Sequence, residues 1–180
     1  MIRAGAAPVF GADEQDDVTI DVLRFVRLAQ LVLQEERAST DAELSVIFVE
    51  EQAIADLNER FLDVPGPTDV LAFPLDDDVI PGGRQPDEGG RGPGAPPDGT
   101  DLPTMLGDVV VCPAVAKRQA EQQGGRVEDE LELLVVHGVL HLLDYDHAEP
   151  AEADRMRRRE RELLDRFAEA KPVDRGEGVR

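Results

Sequence analysis

From Asp21 onward the apolar residues Val22, Leu23, Val26, Leu28, Leu31, Val32 and Leu33 recur at helical spacing, which predicts an amphipathic helix running to about Glu36. Ser39-Thr-Asp41 breaks it. Leu44-Ser-Val-Ile-Phe-Val49 is rich in β-branched side chains and predicts a buried strand. A short helix is predicted over 52–60, with Ile54 and Leu57 facing inward, followed by a turn at Pro65-Gly-Pro-Thr-Asp69 and a short strand Val70-Leu-Ala-Phe73. Met105-Leu-Gly-Asp-Val-Val-Val-Cys112 predicts a further strand. Pro113 suits the first turn of a helix that continues to Gln123 and is stopped by Gly124-Gly125. A second helix, from about Val127 to Leu143, is apolar almost all round in its later half, the mark of a buried helix. The last, over about 150–170, is heavily charged, with Met156, Leu163, Leu164 and Phe167 as an inward stripe. Residues 1–18 read as polar, acidic and irregular, with a strand expected near 18–22.

Residues 76–103 interrupt this pattern. Six prolines and seven glycines fall in 28 positions with almost no apolar side chains, so the stretch reads as a flexible, exposed insertion within one domain. The expected fold is α/β (α+β): a single compact domain over 1–175, with a small mixed sheet of about four strands packed with about five helices. Residues 171–180 read as a frayed tail. The 180 residues suffice for one core. No apolar run is long enough to span a bilayer, and the N-terminus lacks the apolar stretch of a signal peptide. One cysteine, Cys112, fits a reducing, cytoplasmic setting. The formal net charge of -20 argues against tight, non-specific binding to nucleic-acid phosphates, although it does not set the sign of one cleft.

The chain's three histidines all fall in His137-Gly-Val-Leu-His141-Leu-Leu-Asp-Tyr-Asp-His147. Neutral imidazole is the commonest transition-metal ligand, and three protein ligands plus a water make a catalytic zinc site. His137 and His141, four residues apart, project from one helical face. His147 can join them only if the chain turns after Leu142, which Asp144-Tyr-Asp146 allows, and a positive φ is expected at Asp144. The spacing equals that of the extended zinc-protease motif, but Gly138 stands where those enzymes carry their general-base glutamate, which argues against peptide hydrolysis. A glycine inside a helix also suggests a space requirement, either beside the site or against another helix.

The histidine segment resembles the H-G-x-L-H-L-x-G-Y-D-H signature of the YbeY-type endoribonucleases, bacterial rRNA maturation factors. Pro67-Thr-Asp-Val-Leu-Ala-Phe-Pro74 is similar to that family's P-T-D-V-L-S-F-P. Leu106-Gly-Asp-Val-Val-Val-Cys-Pro113 is similar to its L-G-D-I strand, with Gln119-Ala120 in the following helix, and Glu130-Leu131 fit the E-L before the histidines. The likeness spans roughly 20–168. It implies one Zn2+ per chain on His137, His141 and His147. It also implies a single-strand-specific endoribonuclease that matures the 3′ end of small-subunit rRNA and serves ribosome quality control, with RNA, the small ribosomal subunit and an assembly GTPase as partners, and neither DNA nor membrane.

Three positions depart from the family pattern. The motif glycine is Asp144, the serine of L-S-F is Ala72, and the arginine after L-N-x-x-Y is Leu62, with Arg60 two residues off register. The catalytic acid and base are unknown from sequence. Asp69, Asp108, Asp144 and Asp146 are candidates, each more readily a turn, cap or ligand-orienting residue. Tyr145 reads as an anchor of the turn rather than a base-stacking ring, and the basic run 157–161 as a solvated, ion-paired face. Two other functions compete: a non-catalytic ribosome-assembly factor with a structural metal, for which Cys112 is the candidate fourth ligand, and a metallopeptidase.

Overall fold

The computed structural model describes residues 7–75, 104–145 and 149–170. Four strands and five helices follow in the order β1 (Val9–Glu14), α1 (Val22–Glu35), β2 (Ala42–Val49), α2 (Glu51–Leu62), β3 (Val70–Pro74), β4 (Thr104–Val111), α3 (Pro113–Gln123), α4 (Val127–Leu142) and α5 (Pro150–Ala170). The strands form one mixed sheet in the order β1-β2-β4-β3. β1 with β2 and β2 with β4 are parallel; β3 runs antiparallel to β4 at one edge. Pro74, which has no backbone donor, is tolerated at that edge.

The strand expected near 18–22 is not present, and the sheet's first strand lies instead within the stretch read as irregular. Val18 and Gln15 close a turn: the Gln15 amide donates to the Val18 carbonyl at 2.8 Å, and the Val18 N–H donates to Oε1 of Gln15 at 2.9 Å. Asp21 then caps α1, its Oδ1 accepting from the Arg24 N–H at 3.3 Å. The expected insertion at 76–103 and tail at 171–180 lie outside the described residues.

The two-residue period of the strands divides the core. Leu44, Val46 and Phe48 of β2, with Val109 and Val111 of β4, face α1, α4 and α5. Ile47 and Val49, with Leu71, Phe73 and Val110, pack with Ile54 and Leu57 of α2. Both faces are covered, which is why β2 and β4 read as nearly continuous apolar runs. Gly107 sits at a bulge in β4, where Met105 pairs with Glu43 but Gly107 with Leu44. Its φ of 143° and the Phe73 carbonyl 2.2 Å from where a Cβ would stand leave room for glycine alone.

Helix α4 crosses the sheet and touches α1, α3, α5, β3 and β4. It ends as the sequence requires: Asp144 has φ 64°. The Tyr145 N–H donates to the Leu140 carbonyl at 3.1 Å and the Asp144 N–H to that of His141 at 3.2 Å, the paired bonds of a Schellman cap. The turn is tied by the Tyr145 hydroxyl, which donates to Oε2 of Glu36 at 2.8 Å. Arg159 donates to the other oxygen of Glu36 at 2.6 Å, so α1, the turn and α5 share one carboxylate.

Candidate metal centre

His137 and His141 stand side by side on α4, their ring centroids 4.6 Å apart and their Nε2 atoms 3.1 Å apart. The Nδ1 of His137 lies 2.8 Å from Oε1 of Glu160 on α5. Glu160 is 7% exposed, and a carboxylate there accepts the Nδ1 proton. That bond leaves the lone pair of His137 on Nε2, the atom turned toward His141. The histidine of a metal site is commonly held this way. Two nitrogens bound tetrahedrally to one zinc at about 2.0–2.1 Å are about 3.3 Å apart, so the pair fits as two ligands of one ion. His147 and Asp146 lie outside the described residues, and among the described residues no three metal-binding side chains gather.

The pair opens into a cleft of about 990 Å³. The edge strand β3 forms one part of its lining, with Val70, Ala72 and Phe73; α2 contributes Leu57, Phe61 and Leu62. Gly138 lies beside the histidines in this lining. A Cβ there would stand 2.6 Å from Cγ1 of Val109 and 3.4 Å from Cγ2 of Val70. The space requirement is thus real, but it is set by the sheet rather than by a neighbouring helix.

The other candidates separate. Asp69 borders the cleft, but its carboxylate is committed: Oδ1 accepts from the Val70 N–H at 2.8 Å and Oδ2 from the Gln119 amide at 3.0 Å. It holds the start of β3 in place. Asp108 also borders the cleft. Asp144 is exposed on the helix-ending turn and outside the cleft. Leu62, at the position of the family arginine, is exposed in the lining. Arg60 is not among the lining residues; its guanidinium lies 5.2 Å from the centroid of the Phe61 ring. Cys112 is fully buried with Val49, Ile54, Leu71 and Val110, so it does not complete a ligand set with the histidine pair. Burial pushes its thiol up. Asn58, buried on α2, donates to the Gly66 carbonyl at 2.9 Å and fixes the turn that leads into β3.

Glu130, on the first turn of α4, has its carboxyl pushed above the ordinary range, first by burial and then by the charge on Asp69. As pH rises the unfolded chain releases this proton first, so stability falls from the ordinary value of 4.5 up to the raised one. Glu130→Gln is therefore expected to be more stable than wild type near pH 7 and equal to it below about pH 4. Urea midpoints at the two pH values check this; a gain of equal size at both would contradict it.

Two features of the site escape a reading of the sequence alone. Glu160 lies within the basic run read as solvated, and the Phe61–Phe73 pair, with centroids 5.1 Å apart, joins two segments distant along the chain.

The mixed α/β sheet is shared with a solved protein, a solution structure from Thermotoga maritima. It matches with a TM-score of 0.53 and 23% identity, over 96% of this chain and 99% of that one, which is a likeness of fold alone. Sequence carries the comparison further. A family model described as Endoribonuclease YbeY matches residues 11–168. Curated proteins with that name are similar over most of their length. One from Thermobifida fusca is 47% identical over 150 residues, 83% of this chain and 88% of its own. One from Acidothermus cellulolyticus is 50% identical over 135 residues, 75% of this chain and 76% of its own. The chain belongs to the YbeY endoribonuclease family. No helix among the described residues is long and apolar enough to cross a membrane.

Proposed function

We propose that this chain is a zinc-dependent endoribonuclease that cuts single-stranded RNA in the cytoplasm, at the 3′ end of small-subunit rRNA. On this reading it serves ribosome quality control beside the small subunit and an assembly GTPase. The observation that carries the reading is the convergence of the His137 and His141 Nε2 atoms at 3.1 Å, with His137 oriented by the buried Glu160. His137, His141 and His147 would hold the ion. A zinc so held supplies Lewis acidity and lowers the pKa of a bound water. The chain's own residues do the rest: Glu160 keeps His137 in one tautomer, the β3 edge and α2 wall the cleft, and Asp108 borders it. Gly138, in the place of a protease's general base, speaks against a peptidase.

The test is zinc content together with cleavage of a single-stranded RNA oligonucleotide by wild type and by His141→Ala. Wild type is expected to carry one zinc and to cleave; the variant is expected to lose both. Equal cleavage by the two proteins would sink the reading. One observation favours a second reading, a non-catalytic assembly factor: no Lys or Arg stands among the described residues that line the cleft. Bound zinc without cleavage by wild type would select it.

A further inference from the structure

The arginines of α5 divide by what they hold. Arg159, 21% exposed, donates to Glu36 of α1 at 2.6 Å and to Glu162 at 2.8 Å, and Arg166 pairs with Glu35 of α1. Those side chains pin the helix to its neighbour. Arg157 and Arg161 do not. Arg157 is 61% exposed, and its acidic partner, Asp154 one turn back at 2.6 Å, is 67% exposed. A surface pair of this kind is worth about 0.2–1 kcal/mol, so it yields readily to another acceptor. The Nε of Arg161 donates to the Arg157 carbonyl at 3.1 Å, and among the described residues no carboxylate pairs with its guanidinium. Four residues apart, the two side chains share one edge of the helix. That edge adjoins the candidate centre. A cavity of about 230 Å³ is lined by His137 of α4 and by Ala153, Met156, Arg157 and Glu160 of α5. His137 is the described residue common to this cavity and to the cleft. Its Nε2 faces His141 and its Nδ1 faces Glu160. The Glu160 carboxylate is engaged by that bond, which leaves Arg157 as the cation beside the imidazole.

We propose that Arg157 and Arg161 form a phosphate subsite, which holds the RNA backbone one step beyond the phosphate at the histidine pair. The ligand class is the phosphodiester of a single strand. That the strand is RNA, and that its reacting phosphate lies at His137 and His141, rest on the endoribonuclease reading above. A guanidinium presents a planar fork of donors that fits phosphate oxygens, and a bound phosphate also releases condensed counterions, a gain that the pair with Asp154 lacks. A strand that passes from the cleft over the His137 ring reaches this edge of α5 next. The formal charge of -20 keeps the contact local. It repels a loosely held strand, so the two arginines count once the centre has fixed a phosphate beside them. An acidic segment of a partner protein is the rival occupant. Continuity with the histidine pair through His137 favours the strand, because a docked peptide needs no such continuity.

The experiment uses the zinc-loaded full chain and a short single-stranded 2′-O-methyl oligonucleotide, read by fluorescence anisotropy over a range of salt concentrations. The double variant Arg157→Gln/Arg161→Gln should bind about 5- to 50-fold more weakly than wild type. Its salt dependence should be shallower by about one neutralised phosphate. The control Arg155→Gln/Arg158→Gln removes the same charge from positions further round the helix, and should stay within about 2-fold of wild type at physiological salt. All four side chains are exposed, so both variants should keep the wild-type melting temperature and zinc content. Unchanged affinity or an unchanged salt slope in Arg157→Gln/Arg161→Gln, an equal loss in the control, or a loss that follows a fall in melting temperature or zinc content would overturn the proposal. So would displacement of the strand by poly-glutamate as readily as by unlabelled RNA, which would assign the edge to an acidic partner. Arginine-dependent binding without cleavage by wild type would count against the nuclease reading alone. Cleavage by wild type with arginine-independent binding would count against this proposal alone, and no binding by wild type would sink both.

Discussion

If the histidine pair holds zinc as proposed, Glu160→Leu is expected to weaken that binding about 10- to 100-fold while the chain stays folded. The carboxylate is buried beside Met156 and Leu163 on the inward side of α5, and its oxygen receives the Nδ1 proton of His137 at 2.8 Å. Leucine fills a similar volume, and because the His137 side chain is 30% exposed its Nδ1–H can turn to water, so the loss of this one partner should cost no more than about 1–3 kcal/mol. What it cannot do is accept the proton. His137 is then free to rotate and to change tautomer, and its Nε2 is no longer presented to the ion. Glu160→Gln keeps an acceptor oxygen and should recover part of the affinity. Competition with a chromophoric chelator measures the effect, and the absorption of the cobalt-substituted protein reports ligand geometry independently of any cleavage. Wild-type affinity in Glu160→Leu would show that packing alone orients the histidine.

A second large effect is expected at Gly138. Alanine in a helix interior ordinarily gains about 1 kcal/mol over glycine. Here the added methyl would meet Cγ1 of Val109 at 2.6 Å. Val109 is fully buried on a central strand, and its branched side chain has little rotameric freedom. Overpacking of this kind costs about 1–3 kcal/mol, so Gly138→Ala should be net destabilising by about 1 kcal/mol, and Gly138→Val by about 3 or more. Adding Val109→Ala should recover part of the loss, giving a double mutant more stable than the sum of the two single changes. Urea denaturation of the four proteins decides it; a stabilised Gly138→Ala would mean that α4 does not pack against β4 as described.

Much of this architecture can be read along the chain, because α1, α4 and β2 carry long apolar periods that local sequence expresses. β1 does not. Val9-Phe-Gly-Ala-Asp-Glu14 has two apolar side chains at one end, and its strand geometry comes from parallel pairing with β2 far along the chain. The segment after it, a turn closed by Gln15 and Val18 that leads to the Asp21 cap of α1, carries more β-branched residues than β1 itself. Glu160 illustrates a different blindness. It was grouped with its charged neighbours, yet Met156, Glu160, Leu163 and Phe167 follow helical spacing and all four are buried. A carboxylate standing in an apolar stripe was a visible sign of a buried partner. The cleft was illegible for a simpler reason: α2 and α4 each pack against β3, and no local pattern specifies contacts between segments so far apart.

Dependence on β4 also fixes when the centre can exist. β3 reaches the sheet only through β4, which is itself paired with β2 across a long stretch of chain, Val46 lying beside Val109. The histidine pair and Glu160 come from helices later still. Pairings this distant along a chain close slowly during folding. A partly folded molecule therefore has no cleft wall, no oriented imidazole and no place for a strand of RNA. A hydrolytic centre built from segments this far apart is complete only when β4 is paired with β2 and β3 and both α4 and α5 are docked.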